Sequence, residues 1–412
     1  MNHHYWIRGT VLVSAFGLVI QSGCEYKAPA SPWEESLKQN KILPTITRIE
    51  PAEAGSASEI TLIGKDFSPV DSLNAVYFND VPAVIKSSSD THIVVLRPNV
   101  IGNSITISVV VNGAVGIAKF PGYGLGAVVE EFGHFAGIDK LFAFAVDAEE
   151  NTYLAMSGNS IIRLNPDGGR DLNYLGVGTT AVNTSLMTDM KVGPDGMIYM
   201  ARSNNLIVRL PADADSDAVE TVVTLADRAD RIKCIDFDPS GILYAGGKNS
   251  DLIVIRSAAD IIKAGVYKEY EINSIHVSGG FVYLAAVYTG KSSEAIKSGV
   301  WRHAVQADGS VGIQELVLNW SAGPFSGATV NTIELSESGK VYIGSNDAQN
   351  PVVMVDPDSG EYRTLFYGII PSPVDRLAWG NSTHLYAVIH RTSQFEDGCQ
   401  LLKINTGERA AP

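Results

Sequence analysis

Cysteine is scarce: three stand in 412 residues, and only Cys234 and Cys399 lie outside the first two dozen positions. A disulfide framework therefore cannot be the basis of the fold, and two thiols without a neighbouring His make no metal set. Both occur in apolar, strand-like surroundings, "RIKCIDF" and "GCQLLKI", where a cysteine acts as a small buried hydrophobe. Histidine is also sparse, with eight in the chain, and none stands in an HxH or HExxH spacing. Positive charge is in deficit, 31 Lys and Arg against 45 Asp and Glu, for a net charge of −14. Such a surface repels phosphate backbones, which argues against a nucleic-acid partner. After the first two dozen residues no run is long and apolar enough to cross a bilayer as a helix. No nucleophile or acid-base pair stands out, so the chain is not read as an enzyme, and nothing calls for a cofactor or a metal.

What is present begins with Arg8 and the apolar run "GTVLVSAFGLVI", which ends in "QSGC". A charged start, a short apolar core and small residues before a cut predict a secretory signal over residues 1–23. The position of Cys24 after Ser22 and Gly23 resembles the lipobox of bacterial lipoproteins, with Gln21 where an aliphatic residue is usual. The resemblance implies lipid on Cys24 and residence in the cell envelope, as an outer-membrane lipoprotein on the surface or the periplasmic face. Residues 24–42 mix Pro, Ala, Ser and charge without a period, as a tether does.

From 43 to 123 short strands with period-two alternation are divided by Gly, Pro, Asn and Asp turns: "ITRIEP", "EITLIGKDF", "NAVYFNDVPAVI", "THIVVLRP" and "SITISVVVNG". Pro44, Ile46, Ile49 and Pro51 open the segment, Gly64 and Phe67 form a GxxF turn, and Val76 to Val84 make a hairpin. This order resembles the IPT/TIG immunoglobulin-like domains. The resemblance implies a β-sandwich and, by itself, no chemistry.

Residues 124–412 contain a repeat. A turn and a Tyr-bearing strand recur around Tyr153, Tyr199, Tyr244, Tyr283, Tyr342 and Tyr386, and a strand with a base follows at Arg163, Arg209, Arg256, Arg302 and Lys403. Met354 takes the basic position in the fifth unit. Units of about 45 residues with four strands have the length of a propeller blade. The pattern resembles NHL and streptogramin-lyase-like six-bladed β-propellers, so the expected fold is all-β: an immunoglobulin-like sandwich followed by a six-bladed propeller. The sixth unit lacks a fourth strand, and "GAVVEEFG" at 126–133 has no other place, so it is expected to complete the last blade. The repeated Tyr and bases read as packing and surface positions, not as a site.

Loop lengths differ between units. From the Tyr to the basic position the interval is 10 residues in blades one and two, 12 in three and five, 19 in four and 17 in six. With the connection "NWSAGPFSGATVN", these insertions predict a raised wall over blades four to six carrying Tyr288, Lys291, Trp320, Phe325, His390, Arg391 and Phe395. Exposed aromatics beside hydrogen-bonding groups are suited to sugar faces or peptide side chains. The expected role is binding of an extracytoplasmic ligand, such as a glycan in an outer-membrane nutrient-uptake system. The class resembles the accessory lipoproteins of those systems. The alternative is a docking scaffold for envelope proteins, and a lyase or hydrolase is the third reading. For that third reading Asp230, Asn273, Asn331 and Asp375 are the residues placed near the channel.

Overall fold

The structure is a computed structural model describing residues 42–412 apart from 136–138, 173, 175–182, 213–218, 294 and 394–395, and apart from the side chains of 391–397. Cys24, Phe395 and the Arg391 side chain thus lie outside the described residues. Two four-stranded sheets come first. One pairs Thr45–Glu50, Glu59–Lys65, His92–Leu96 and Ile85–Ser88 in that order; the other pairs Val81–Ala83, Asn74–Phe78, Gly102–Val111 and Ile117–Leu125. Alternate residues face inward. Ile60, Leu62, Phe78, Ile93, Ile107 and Val109 are fully buried between the sheets, the arrangement of an immunoglobulin-like sandwich.

The rest of the chain forms six antiparallel blades about one axis, the third and fourth joined into one eight-stranded sheet where Lys248 stands opposite Glu271. Their innermost strands are Leu141–Val146, Met187–Val192, Arg231–Phe237, Tyr270–Ser278, Val330–Leu335 and Val374–Trp379. Six apolar clusters join blade to blade around the ring. One holds Ala143 and Ala155 of the first blade with Met190 and Met200 of the second. Another closes the circle by placing Phe144 and Leu154 of the first blade against Tyr386 and Leu401 of the sixth. Among the described residues blade one has three strands, while the sixth blade gains its outermost strand from Val129–Phe132, with Phe132 opposite Leu401 and Val129 opposite Ile404. The chain segment that leaves the sandwich therefore fastens the last blade, as expected from 126–133.

The repeated tyrosines and bases prove structural. Tyr153, Tyr199, Tyr283 and Tyr386 stand directly across the ladder from Arg163, Arg209, Arg302 and Lys403. In the third blade Tyr244 faces Val254, so Arg256 is out of that register and pairs with Asp260 and Asp308 instead. Several tyrosine hydroxyls donate to the Asp of their own turn, as Tyr199 does to Asp195 at 2.8 Å. Cys234 and Cys399 are free and buried, without a bridge, and burial raises the Cys399 thiol to about 11.

The sandwich meets the propeller through its end nearest Gly126. Arg97, buried between the two, donates to the carbonyls of Ala54 at 2.7 Å and Gly55 at 2.8 Å, and also to that of Gly126. A cleft of 540 Å³ runs along this joint between residues 53–59 and the turns bearing Lys340 and Glu408. Those turns lie on one face of the ring; the loops between second and third strands emerge on the other, called here the upper face.

Candidate functional site at the upper mouth of the propeller

Every innermost strand carries a bulge near its upper end, where the ladder to the second strand skips one residue. The skipped residues are Phe142, Thr188, Lys233, Asn273, Asn331 and Asp375. A bulge frees a side chain from the alternation of its strand and re-aims it. Blades three to six thus place four polar groups at equivalent positions, and blades one and two place Phe142 and Thr188 there.

These four groups are linked from blade to blade. Lys233 donates to Asn273 at 2.7 Å and to Glu271 at 2.8 Å. Asn273 then donates to the carbonyl of Val330 at 2.8 Å, and Asn331 to that of Val374 at 3.0 Å. Asp375 pairs with His390 Nδ1, and His390 Nε2 donates to the Leu141 carbonyl of blade one at 2.8 Å. Both His390 nitrogens face acceptors, and the bond to Asp375 raises its pKa despite partial burial, which favours the protonated ring. The result is a polar arc around the mouth from blade three to blade one.

Three residues further along the innermost strands, a second layer fills the channel: Ala145, Lys191, Asp236, His276, Glu334 and Ala378. The Lys191 ammonium lies 3.6 Å from Glu334 and 3.8 Å from Asp236, and His276 lies 3.0 Å from Glu334. Burial alone would lower Lys191, but Asp236 and Glu334 outweigh it and keep the ammonium charged. Asp189, one layer nearer the mouth, accepts the Ile235 amide at 2.9 Å, and burial pushes its carboxyl up to about 6 against Lys191 and Arg376. Below this layer, residues 409–412 cross the lower ends of blades five and four, with Ala411 donating to the Leu335 carbonyl at 3.0 Å and Ser278 to that of Pro412 at 3.1 Å. The channel is thus filled by paired charges midway and crossed below, so the geometry leaves the upper mouth as its accessible end. Among the described residues no group of three or more His, Cys, Asp or Glu side chains is arranged to hold a metal ion.

The residues expected to form the wall separate. Trp320 is fully buried: its indole donates to the Ala328 carbonyl at 2.9 Å and its ring stacks on Phe325 at 5.8 Å. An exposed Trp320 is therefore corrected. The connection folds inward because the apolar Trp320, Phe325 and Tyr362 gain more by covering blades four and five than by standing in water. Tyr288 remains half-buried at the surface. Its hydroxyl lies 3.3 Å from Glu269 and accepts the Ser292 amide at 2.9 Å, while Lys297 sits 4.6 Å above its ring. Lys291 is exposed beside it. The loop is tied to the Trp320 connection by the Lys297 amide, which donates to Ser321 at 3.2 Å. His390 turns away from this group into the polar arc. Of the four channel residues, Asn273, Asn331 and Asp375 share the bulge position, but Asp230 does not; it is buried against Lys263 at 2.6 Å, and Lys233 occupies its expected place. Sequence reasoning missed Lys233 and the layer of Lys191, Asp236, His276 and Glu334. Aligning the six innermost strands on the bulge would have found both.

Comparison with known proteins adds the following. Residues 44–123 match the IPT/TIG domain family. The sandwich is a TIG domain. Among solved structures, a candidate gluconolactonase superposes with a TM-score of 0.50 at 12% identity, covering 70% of this chain and 94% of its own, which shows a shared fold. An auxiliary nutrient binding protein from Bacteroides ovatus aligns with a TM-score of 0.48 at 12% identity, covering 89% and 98%. Another from Bacteroides thetaiotaomicron gives 0.47 at 10%, covering 88% and 97%. No curated protein matches the chain. Among the described residues no helix is long and apolar enough to cross a membrane.

Proposed function

We propose that the chain is a cell-envelope lipoprotein, carried by lipid on Cys24, that binds an extracytoplasmic ligand at the upper mouth of its propeller. Its segments would be a signal at 1–23, a tether at 24–42, the TIG domain from 43 and the propeller from 124. The observation that carries the reading is the asymmetry of the bulge layer. Four linked polar groups lie over blades three to six, in the sector where the longest loops rise. Pre-positioned donors and acceptors, with the half-buried Tyr288 ring at the upper end of blade four, suit a neutral polyhydroxylated ligand, a glycan, because hydroxyls accept from the donors and donate to the acceptors while a sugar face lies on an aromatic ring. A role as a protein-docking scaffold is the alternative; it would require a broad apolar face rather than a polar arc.

The test is a glycan screen on residues 43–412 followed by titration of variants. Tyr288→Ala and Lys233→Ala should each weaken binding by roughly 2 kcal/mol, about thirtyfold. Val84→Ser, at an exposed site on the sandwich, should leave affinity unchanged. Full affinity in both mouth variants would move the site elsewhere.

A further inference from the structure

The exposed aliphatic residues of this molecule are unevenly placed. Of the twelve large hydrophobics exposed among the described residues, six lie at one end of the TIG domain: Leu43, Val70, Leu73, Val110, Val115 and Ile117. Their proximity follows from the backbone. The Asn112 amide donates to the Leu73 carbonyl at 2.8 Å, Leu73 donates to Val70 at 3.0 Å, and Val110 stands opposite Ile117 across the hairpin. The Leu43 side chain comes so close to Gly116 that a Cβ there would lie 2.7 Å from it. This end is opposite the one that Arg97 and Gly126 join to the propeller, so the propeller does not cover it.

We infer that this end of the TIG domain is a membrane-contacting tip, which lays its aliphatic residues in the headgroup region of a bilayer. The choice of a lipid surface rests on the envelope-lipoprotein reading above. Leu43 at the tip is where the tether enters, and 18 residues, 25–42, separate it from Cys24. A random coil of that length has a root-mean-square reach of about 20–25 Å, so a lipid on Cys24 would keep the tip within a short distance of the bilayer. An apolar contact of this kind binds a lipid surface reversibly by itself, and a second anchor strengthens it by raising the local concentration. The chemistry of the tip favours lipid over protein. Its exposed residues are aliphatic, with no aromatic or Arg anchor among them, and they stand on protruding turns rather than on a broad face. The charges around it, Lys65, Asp66, Asp71, Asp90 and Lys119, are of mixed sign, so attraction would come from apolar burial and not from lipid charge.

The experiment is flotation of residues 43–412, one compact unit, with vesicles of phosphatidylethanolamine and phosphatidylglycerol. The protein should float with the vesicles, and salt at about 1 M should leave the bound fraction intact because screening acts on charges. Replacing Val115 and Ile117 together by Asp should cut partitioning by at least about tenfold. Ile313→Asp, at the most exposed aliphatic residue of the propeller, should leave it unchanged. Absence of flotation, its loss in salt, or an equal loss in Ile313→Asp would overturn the inference. Because residues 43–412 lack Cys24, this result is independent of the lipoprotein reading, which is decided by the mass of Cys24 in membranes of cells making the whole chain.

Discussion

His276 shows how a single residue can link the channel to pH. Burial alone would lower its pKa, but Glu334 and Asp236 outweigh burial, so the folded value stands above the ordinary 6.5. A raised histidine contributes stability that is complete below 6.5 and is lost as pH rises through the folded value. Glu334 has the opposite sign. Burial would raise it, but Lys191 and His276 lower it, so its contribution is complete above 4.5 and is lost as pH falls through the depressed value. The groups facing His276 are Lys191 from blade two, Asp236 from blade three and Glu334 from blade five, while blades one and six offer Ala145 and Ala378. His276→Gln should therefore cost about 1–3 kcal/mol near pH 6 and flatten the decline in Tm expected of the natural protein as pH rises through the raised His276 value. Melting curves from acid to alkaline pH check this, and an equal alkaline decline in both proteins would count against it. The pairing of these four residues was not legible in the sequence, because they lie in four different blades and only the bulge brings them to one level. Trp320 fails for a related reason: a loop aromatic looks the same whether it points outward or covers a neighbouring blade.

At the scale of elements, the ring depends on a strand borrowed from its own entry segment. Val129–Phe132 gives the sixth blade its outer strand, Phe132 is buried with its ring centre 5.2 Å from that of Tyr386 in an edge-to-face pair, and Lys403 lies 5.4 Å above the Phe132 ring. Without this strand, Glu396–Asn405 would become an open edge and the last blade would be held by the first through side chains alone. A chain beginning at residue 135 should be less stable than one beginning at 124 by about 3 kcal/mol or more, given the buried Phe132 and the lost ladder. Denaturant unfolding of the two would show it; equal midpoints would mean that closure contributes little. This element was legible because counting is robust. Six Tyr-bearing strands with one missing outer strand, and one unassigned strand upstream, leave a single assignment. The sandwich was legible for a similar reason, since its inward residues alternate over whole strands. The register of Arg256 was not, because the same twelve-residue interval pairs Tyr342 with Met354 in blade five, whereas the turn of blade three is as short as those of blades one and two and Tyr244 meets Val254.

At the scale of the whole molecule, one side chain decides whether the TIG domain and the propeller behave as one body. Arg97 is 2% exposed, and its guanidinium donates to carbonyls from two places in the chain, Ala54 and Gly55 in the sandwich and Gly126 in the segment that becomes the closing strand. Burial lowers its pKa to about 10, which still leaves it charged at neutral pH. The planar fork suits several carbonyls at once, and a lysine offers one point in its place, so Arg97→Lys should not restore what Arg97→Ala removes. Loss of the guanidinium would leave buried carbonyls without donors and cost about 3 kcal/mol. It would also loosen the joint at the base of the closing strand. The expected result is that the natural protein unfolds in one calorimetric transition, whereas Arg97→Ala unfolds in two, sandwich and propeller separately, with ligand affinity at the upper mouth retained. A single transition merely shifted to lower temperature would assign Arg97 to the stability of the sandwich alone. That result would leave the remaining contacts along the 540 Å³ cleft to hold the two parts together.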